Sequence, residues 1–176
     1  MQRTVTTRRA VLSAGVLALV SVAGCSSDTG DGGDGNGGGV SVDDYPAVDE
    51  WLTETEVGAA ADNYDGTIVD RRDQDSVTVE VGAEGNGGNF AFAPAAVAVS
   101  TGTEVAWEWT GEGNPHNVEA EPDDQIGESD FEFSSGEAMG GSGVQYRRTM
   151  DEAGVALSHC EPHLTVGMKG AVVVVA

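Results

Sequence analysis

Apolar and polar residues alternate in short runs over the second half of the chain. Residues 77–81 and 104–109 alternate with period two, which indicates strands with one buried face. Residues 171–175 are continuously apolar, as expected of a strand that is buried on both faces. Residues 90–99 are apolar around Pro94. They predict an edge or kinked strand, because proline cannot donate to a strand ladder.

Three further short apolar segments follow, at residues 131–133, 144–148 and 155–158. Gly, Asn, Asp and Ser residues separate them. Several short strands with turn residues between them are typical of a β-sandwich. No helical apolar period of useful length follows residue 77. Upstream, residues 45–52 predict one short helix, with Asp43 or Asp44 as its cap. The sequence therefore predicts an all-β sandwich preceded by a short helical segment.

The N-terminus carries the features of an export signal. Arg8 and Arg9 directly precede the apolar stretch 10–24. That stretch is shorter than the roughly 20 apolar residues of a membrane-spanning helix, but it suits the core of a signal peptide. It predicts export by the twin-arginine route. The alternative is a chance arginine pair before an anchor helix.

Small residues lead up to Cys25 in the sequence Val-Ala-Gly-Cys, which resembles a lipobox. We expect Cys25 to be lipidated and to begin the mature chain at the outer face of the cell membrane. The alternative is an ordinary cleavage site that happens to hold a cysteine.

The Gly, Asp, Ser and Asn residues that follow Cys25 have little apolar surface to bury, so they predict a disordered tether. The predicted segments are a signal peptide (1–24), a lipid-anchored linker (25–40), an N-terminal extension (41–74) and one domain (75–176).

The chain is strongly acidic, with 8 Lys and Arg against 30 Asp and Glu and a net charge of −22. Such a charge repels nucleic acid, so we expect no nucleic-acid partner. It is compatible with disorder or with a folded protein adapted to very high salt, where charge repulsion is screened. The apolar runs after residue 77 favour the folded protein and a halophilic source.

Four residues with metal-binding side chains suggest a metal site. Cys160, His163 and Met168 lie within nine positions, and His116 lies upstream. Two His and one Cys with a weak axial Met form the donor set of type 1 copper. Structural zinc prefers four Cys or His ligands and has little use for a thioether. The sequence therefore predicts one copper held by these four residues.

The pattern Cys-x-x-His-x-x-x-x-Met with an upstream Pro-His-Asn resembles the plastocyanin-like cupredoxins, and residues 44–176 resemble the halocyanins, the haloarchaeal members of that family. Three further stretches carry the resemblance, namely residues 89–97, 103–109 and 167–172. It implies a Greek-key β-sandwich and single-electron transfer between redox proteins of a membrane-bound respiratory chain. It also implies that Asn117 braces the two ligand loops near the Cys160 sulfur, and that the ring edge of His163 reaches the surface.

The sequence departs from the family at His159, where plastocyanins usually carry Tyr or another aromatic residue. If residues 155–160 form a strand, His159 points away from Cys160 and is not a ligand. We expect Lys169 to be solvated, and Trp107 and Trp109 to share one strand face.

Two other functions remain open at this point. One is copper storage or delivery, which usually relies on Met/His-rich or paired-Cys sites that release copper(I). The other is an enzyme of the nitrite-reductase or oxidase type, which needs a second copper cluster and more than the 3 His present. We expect an electron carrier rather than an enzyme, and a monomer.

Overall fold

The computed structural model describes residues 39–121 and 129–176. The predicted signal peptide, the predicted lipidation site Cys25 and the predicted linker up to residue 38 lie outside the described residues. The helices are η1 (Val42–Asp44) and η2 (Glu161–Val166), both of the 3-10 type, and α1 (Pro46–Thr53). The strands are β1 (Val69–Asp70), β2 (Ser76–Gly85), β3 (Gly88–Ala93), β4 (Ala96–Ser100), β5 (Glu104–Trp109), β6 (Glu119–Ala120), β7 (Phe133–Ser134), β8 (Gly143–Thr149), β9 (Gly154–His159) and β10 (Lys169–Val175).

The strands form two sheets. One has six strands in the order β1-β4-β10-β9-β6-β7, and the other has four in the order β3-β2-β5-β8. Strands β4 and β10 pair in parallel, as do β2 and β5. A single apolar cluster joins side chains of both sheets, among them Val79, Val97, Trp107 and Val172. The predicted all-β sandwich is confirmed.

The apolar run at the C-terminus becomes a strand with two buried faces. Val172 and Val174 face the core between the sheets, whereas Ala171 and Val173 belong to a second apolar cluster on the outer face. The inner face is covered by the four-stranded sheet, with which it shares the core cluster, and the outer face is covered by α1. The predicted burial on both faces is confirmed.

Helix α1 buries Val48, Trp51 and Leu52 against the outer face of the six-stranded sheet. The helix predicted at residues 45–52 is therefore present, but its predicted Asp cap is wrong. Asp43 and Asp44 form part of the preceding 3-10 helix. Pro46 begins α1, where its fixed φ and missing N–H suit the first helical position. In the described ranges, no helix has the length and apolarity that crossing a bilayer would require.

Residues 90–99 do not form the single strand that their composition predicted. They belong to β3 and β4, which lie in different sheets. The cis peptide Ala93–Pro94 lies between the two strands, where the chain crosses from one sheet to the other. Proline is tolerated at this crossing because Pro94 belongs to neither strand, so no ladder hydrogen bond requires its missing N–H.

Candidate metal centre

Three metal-binding side chains converge from two distant stretches of chain. The Sγ atom of Cys160 lies 3.7 Å from Nδ1 of His116 and 3.3 Å from Nδ1 of His163. The three candidate ligand atoms all lie within 4.8 Å of one another. A metal–sulfur bond is about 2.3 Å long and a metal–nitrogen bond about 2.0 Å. With a sulfur–metal–nitrogen angle of about 120°, the sulfur and nitrogen atoms then lie roughly 3.7 Å apart. The spacing therefore fits one ion bound by all three side chains.

The loop between β9 and β10 supplies two of these donors and the predicted fourth. We call residues 160–168 the ligand loop. The N–H of Cys160 donates to the carbonyl of Met168 at 3.0 Å, and the N–H of His163 donates to the carbonyl of Cys160 at 3.1 Å. The N–H of Met168 donates to the carbonyl of His163 at 3.2 Å. These bonds close the loop on itself, so its three donor residues are tied together through the backbone.

His116 is held in place by its backbone and by its second ring nitrogen. Its backbone exchanges two hydrogen bonds with Met139, at 3.0 and 2.9 Å. Trp109 donates its indole N–H to the carbonyls of His116 and Met139, at 3.3 and 3.1 Å. The His116 Nε2 atom lies 2.9 Å from the carbonyl oxygen of Glu112. Because a carbonyl can only accept, Nε2 carries the proton, and the lone pair of Nδ1 faces Cys160.

Residues 77–175 match the family model of copper binding proteins, plastocyanin/azurin family. The chain belongs to this family. It is 43% identical over 127 residues to halocyanin of Natronomonas pharaonis, a match that covers 72% of this chain and 71% of that protein. It is 38% identical over 63 residues to plastocyanin A/B of Petroselinum crispum, covering 35% of this chain and 65% of that protein. A solved structure of a reduced amicyanin variant aligns with a TM-score of 0.42 at 26% identity, covering 58% of this chain and 84% of that chain.

Membership in this copper-binding, electron-transfer family identifies the metal. The predicted copper cofactor is confirmed, and the His–Cys–His group is consistent with type 1 copper. Met168 is fully buried and belongs to the same apolar cluster as Cys160. Its place as the fourth ligand remains a prediction.

Asn117 connects the two donor-bearing stretches of this cupredoxin. Its Nδ2 donates to the Glu161 carboxylate at 2.6 Å, to Glu119 at 3.1 Å and to the carbonyl of Gly136 at 3.2 Å. Its Oδ1 accepts the backbone N–H of Glu161 at 2.9 Å. Since Asn117 follows His116 and Glu161 follows Cys160, these bonds fix the two stretches relative to each other.

Burial sets the protonation of the three donors. It raises the pKa of Cys160 to about 11, although the backbone N–H groups of Asn117 and His163 counteract part of the shift. Burial lowers the pKa of His116. Burial and the neighbouring His116 lower the pKa of His163. At neutral pH both imidazoles are therefore uncharged and can donate a lone pair, whereas the thiol holds a proton that it must lose to bind metal.

The two loop donors differ in their access to solvent. Cys160 is fully buried, whereas His163 is half-buried. The ring of Phe90 lies against that of His163, with centroids 4.6 Å apart, and the rings of His116 and His163 are 4.7 Å apart. His163 is thus the most exposed of the three converging donors.

The prediction of a solvated Lys169 is wrong. Lys169 is fully buried, its Nζ forms an ion pair with the Glu54 carboxylate, and it lies 4.5 Å from the centre of the Trp51 ring. Burial alone would raise the pKa of Glu54, but the hydrogen bond with Lys169 and those with backbone N–H groups lower it overall. Sequence reasoning missed this pair because α1 covers the start of β10 only in the folded chain.

His159 lies on the sheet face opposite Cys160. Its ring meets Trp51 of α1 edge to face, with centroids 6.4 Å apart. In the described part of the chain, the cluster of potential metal ligands comprises His116, Cys160 and His163, without His159. Trp107 and Trp109 share one buried face of β5, as their spacing predicted.

Proposed function

We propose that this protein is a type 1 copper electron carrier whose metal is held by His116, Cys160, His163 and Met168. The observation that carries the proposal is the convergence of one thiol and two imidazole nitrogens within 4.8 Å in a chain of a copper-binding family. Bound copper supplies a one-electron couple between copper(II) and copper(I). A thiolate with two imidazoles and a weak axial thioether suits that couple.

The protein's own residues limit rearrangement when the electron moves. Cys160, His116 and Met168 are buried, so they exclude water from the site. The backbone bonds within the ligand loop and the Asn117 bonds to Glu161 hold the donors in one arrangement. A fixed arrangement lowers the structural change between oxidation states, which favours rapid transfer. Half-buried His163 provides the route between the site and a docked partner.

The proposed setting is the outer face of the cell membrane. A lipid on Cys25 and the Gly-rich segment after it would tether the domain close to membrane-bound respiratory partners, and the arginine pair Arg8-Arg9 supports twin-arginine export. The net charge of −22 favours redox proteins over nucleic acid as partners. Expression of the full chain and of Cys25→Ser tests the anchor. The native protein should fractionate with membranes and the variant should be released, whereas equal fractionation would reject lipid anchoring.

A visible spectrum tests the copper site. Copper(II) protein should show an intense thiolate-to-copper band that bleaches on one-electron reduction and returns on oxidation. Cys160→Ser should abolish the band, and Met168→Leu should keep much of it while shifting the reduction potential. A Cys160→Ser protein that retains the band would reject the ligand assignment. Loss of copper on reduction would instead favour a delivery function.

An electron carrier also accounts better for the histidines than an enzyme does. The chain has 3 His. Two of them belong to the proposed copper site, and the third, His159, packs against Trp51. A reductase or oxidase of the multicopper type needs a second set of ligands. A catalytic turnover with nitrite or dioxygen by the copper-loaded protein would contradict the carrier function.

A further inference from the structure

A segment after α1 runs along the ligand loop at very short range. We call residues 54–60 the brace. Gly58 has φ +78°, and a Cβ there would lie 2.1 Å from the carbonyl oxygen of Leu164 in the ligand loop. Gly167, at the end of the ligand loop, has φ +96°, and a Cβ there would lie 2.3 Å from the carbonyl oxygen of Ala60. The two backbones therefore touch at two points where only glycine fits.

The N-terminal end of the brace is fixed to the residue after Met168. Glu54 pairs with fully buried Lys169, whose Nζ also donates to the Glu54 backbone carbonyl at 3.1 Å. The same Glu54 carboxylate accepts the backbone N–H groups of Glu56 and Val57, at 2.6 and 2.9 Å. One side chain thus shapes the first turn of the brace and fastens it to the first residue of β10.

The other end of the brace is fixed as well. The N–H of Ala61 donates to the carbonyl of Leu52 at 2.9 Å, which closes the brace onto α1. Asp62 and Asn86 exchange hydrogen bonds, in which each backbone N–H donates to the other side chain. The Asn86 Nδ2 also donates to the carbonyl of Gly167 at 2.9 Å. The brace and the ligand loop are therefore held together on both sides of their close approach.

We propose that the brace is a positioning element for the copper site, and that Glu54 and Gly58 are its positioning residues. This inference rests on the proposed function. The brace lies outside residues 77–175, the part that matches the family model. Much of the ligand loop is a six-residue 3-10 helix with no buried residue of its own. Short 3-10 helices have poor hydrogen-bond geometry, so this one depends on outside packing to hold His163 and Met168 in place.

Outer contacts of this kind act on a metal through its ligands. Groups that orient ligands change metal affinity roughly 10–100-fold when they are removed. The brace touches the backbone of Gly167 on one side of Met168 and the side chain of Lys169 on the other. Moving it would shift the ligand loop without altering any donor atom.

Gly58→Ala and Gly66→Ala form a matched pair that tests this. Both glycines have a left-handed backbone, with φ of +78° and +85°, but a Cβ at Gly66 meets nothing within 4 Å. Both variants place an alanine at a positive φ, and only Gly58→Ala pushes against the ligand loop. We expect Gly58→Ala to bind copper roughly 10–100-fold more weakly than Gly66→Ala in a chelator competition. Its reduction potential and thiolate-to-copper band should also shift, whereas those of Gly66→Ala should match the native protein.

Glu54→Gln and Glu56→Gln provide a second pair should Gly58→Ala fail to fold. Both change one carboxylate of the brace, but only Glu54 pairs with Lys169, and Glu56 is exposed. Glu54→Gln should weaken copper binding and shift the potential, and Glu56→Gln should leave both unchanged. Equal affinities, potentials and bands within both pairs would overturn the inference.

Amide hydrogen exchange in copper-free protein separates this inference from the proposed function. The amides of Gly167 and Met168 report directly on the ligand loop, because they donate to the carbonyls of Leu164 and His163. Relative to the core amides of β5, which report global unfolding, they should exchange faster in Glu54→Gln than in Glu56→Gln. Faster exchange in a protein that shows no copper band would reject the proposed function and retain the brace. Unchanged exchange in a protein that shows a normal band would reject the brace alone.

Discussion

Asn117 and Glu161 form two hydrogen bonds with each other. The Asn117 Oδ1 atom accepts the Glu161 backbone N–H at 2.9 Å, and its Nδ2 donates to the Glu161 carboxylate at 2.6 Å. Each residue directly follows a donor, His116 in one case and Cys160 in the other. Two stretches of chain that are 44 residues apart are therefore joined beside the metal centre by one amide side chain.

Replacing Asn117 by Ala should loosen this connection. The variant loses its bonds to Glu161, Glu119 and Gly136 and leaves the Glu161 N–H without its acceptor. We expect the free energy of unfolding to fall by about 2–4 kcal/mol, measured by denaturant titration of the copper-free protein. Copper should also dissociate faster. Asn114→Gly is the control, because Asn114 is exposed with φ 74°, a conformation that glycine adopts freely. Equal stability of the two variants would show that Asn117 does not join the stretches.

Alternation along the chain predicted strands in which one face is more buried than the other. The bounds of β5 coincide with the predicted residues 104–109, because Trp107 and Trp109 face the core and Glu108 faces solvent. The donor types at His116, Cys160 and His163 pointed to copper because soft sulfur and imidazole ligands select few metals. Local pattern and ligand chemistry were sufficient for these features.

Contacts between distant segments could not be predicted in the same way. Lys169 was expected in solvent because no local signal marks its partner Glu54, 115 residues away. The brace has no apolar period that would show where it packs. Its one glycine suggests a turn, and only the folded chain shows that Gly58 touches Leu164. Residues 90–99 were predicted as one strand because their apolar pattern continues across the change of sheet at Pro94.

Copper binding should release a proton at neutral pH. Burial raises the pKa of Cys160 to about 11, so the thiol is protonated in copper-free protein and must lose its proton to bind. Both imidazoles have lowered pKa values and release no proton at that pH. We expect about one proton per copper(II) near pH 7.5, measured by calorimetry in buffers of different ionisation enthalpy. Apparent affinity should therefore rise with pH. Cys160→Ser should release none, and a native protein that also released none would contradict the raised pKa.

The two partners of the buried ion pair should differ in their effect on stability. Lys169 has no exposed side-chain surface, whereas the Glu54 side chain is 22% exposed. Glu54→Gln leaves a buried ammonium without its counter-charge and should cost about 3 kcal/mol of unfolding free energy. Lys169→Met leaves a carboxylate that reaches water and should cost about 1 kcal/mol. The double variant should be more stable than Glu54→Gln. The difference should persist in molar salt, because buried pairs are poorly screened.

Trp109 should support the copper site in a way that Trp107 does not. Trp109 donates its indole N–H to the carbonyls of His116 and Met139, whereas Trp107 packs against the rings of Phe133 and Tyr146. Substituting Phe at either position keeps an aromatic ring in the core. Trp109→Phe should therefore lose about 1–2 kcal/mol more unfolding free energy than Trp107→Phe, because two carbonyls lose a shared donor.

The thiolate-to-copper band and the rate of copper release provide a second comparison of Trp109→Phe with Trp107→Phe. Because the carbonyl of His116 accepts one of the two bonds, Trp109→Phe should release copper faster and broaden the thiolate-to-copper band. Trp107→Phe should lose stability while its band and copper release rate match those of the native protein. If both variants changed the band equally, general loosening of the core would explain the effect, and the indole hydrogen bonds would have no specific part in holding His116.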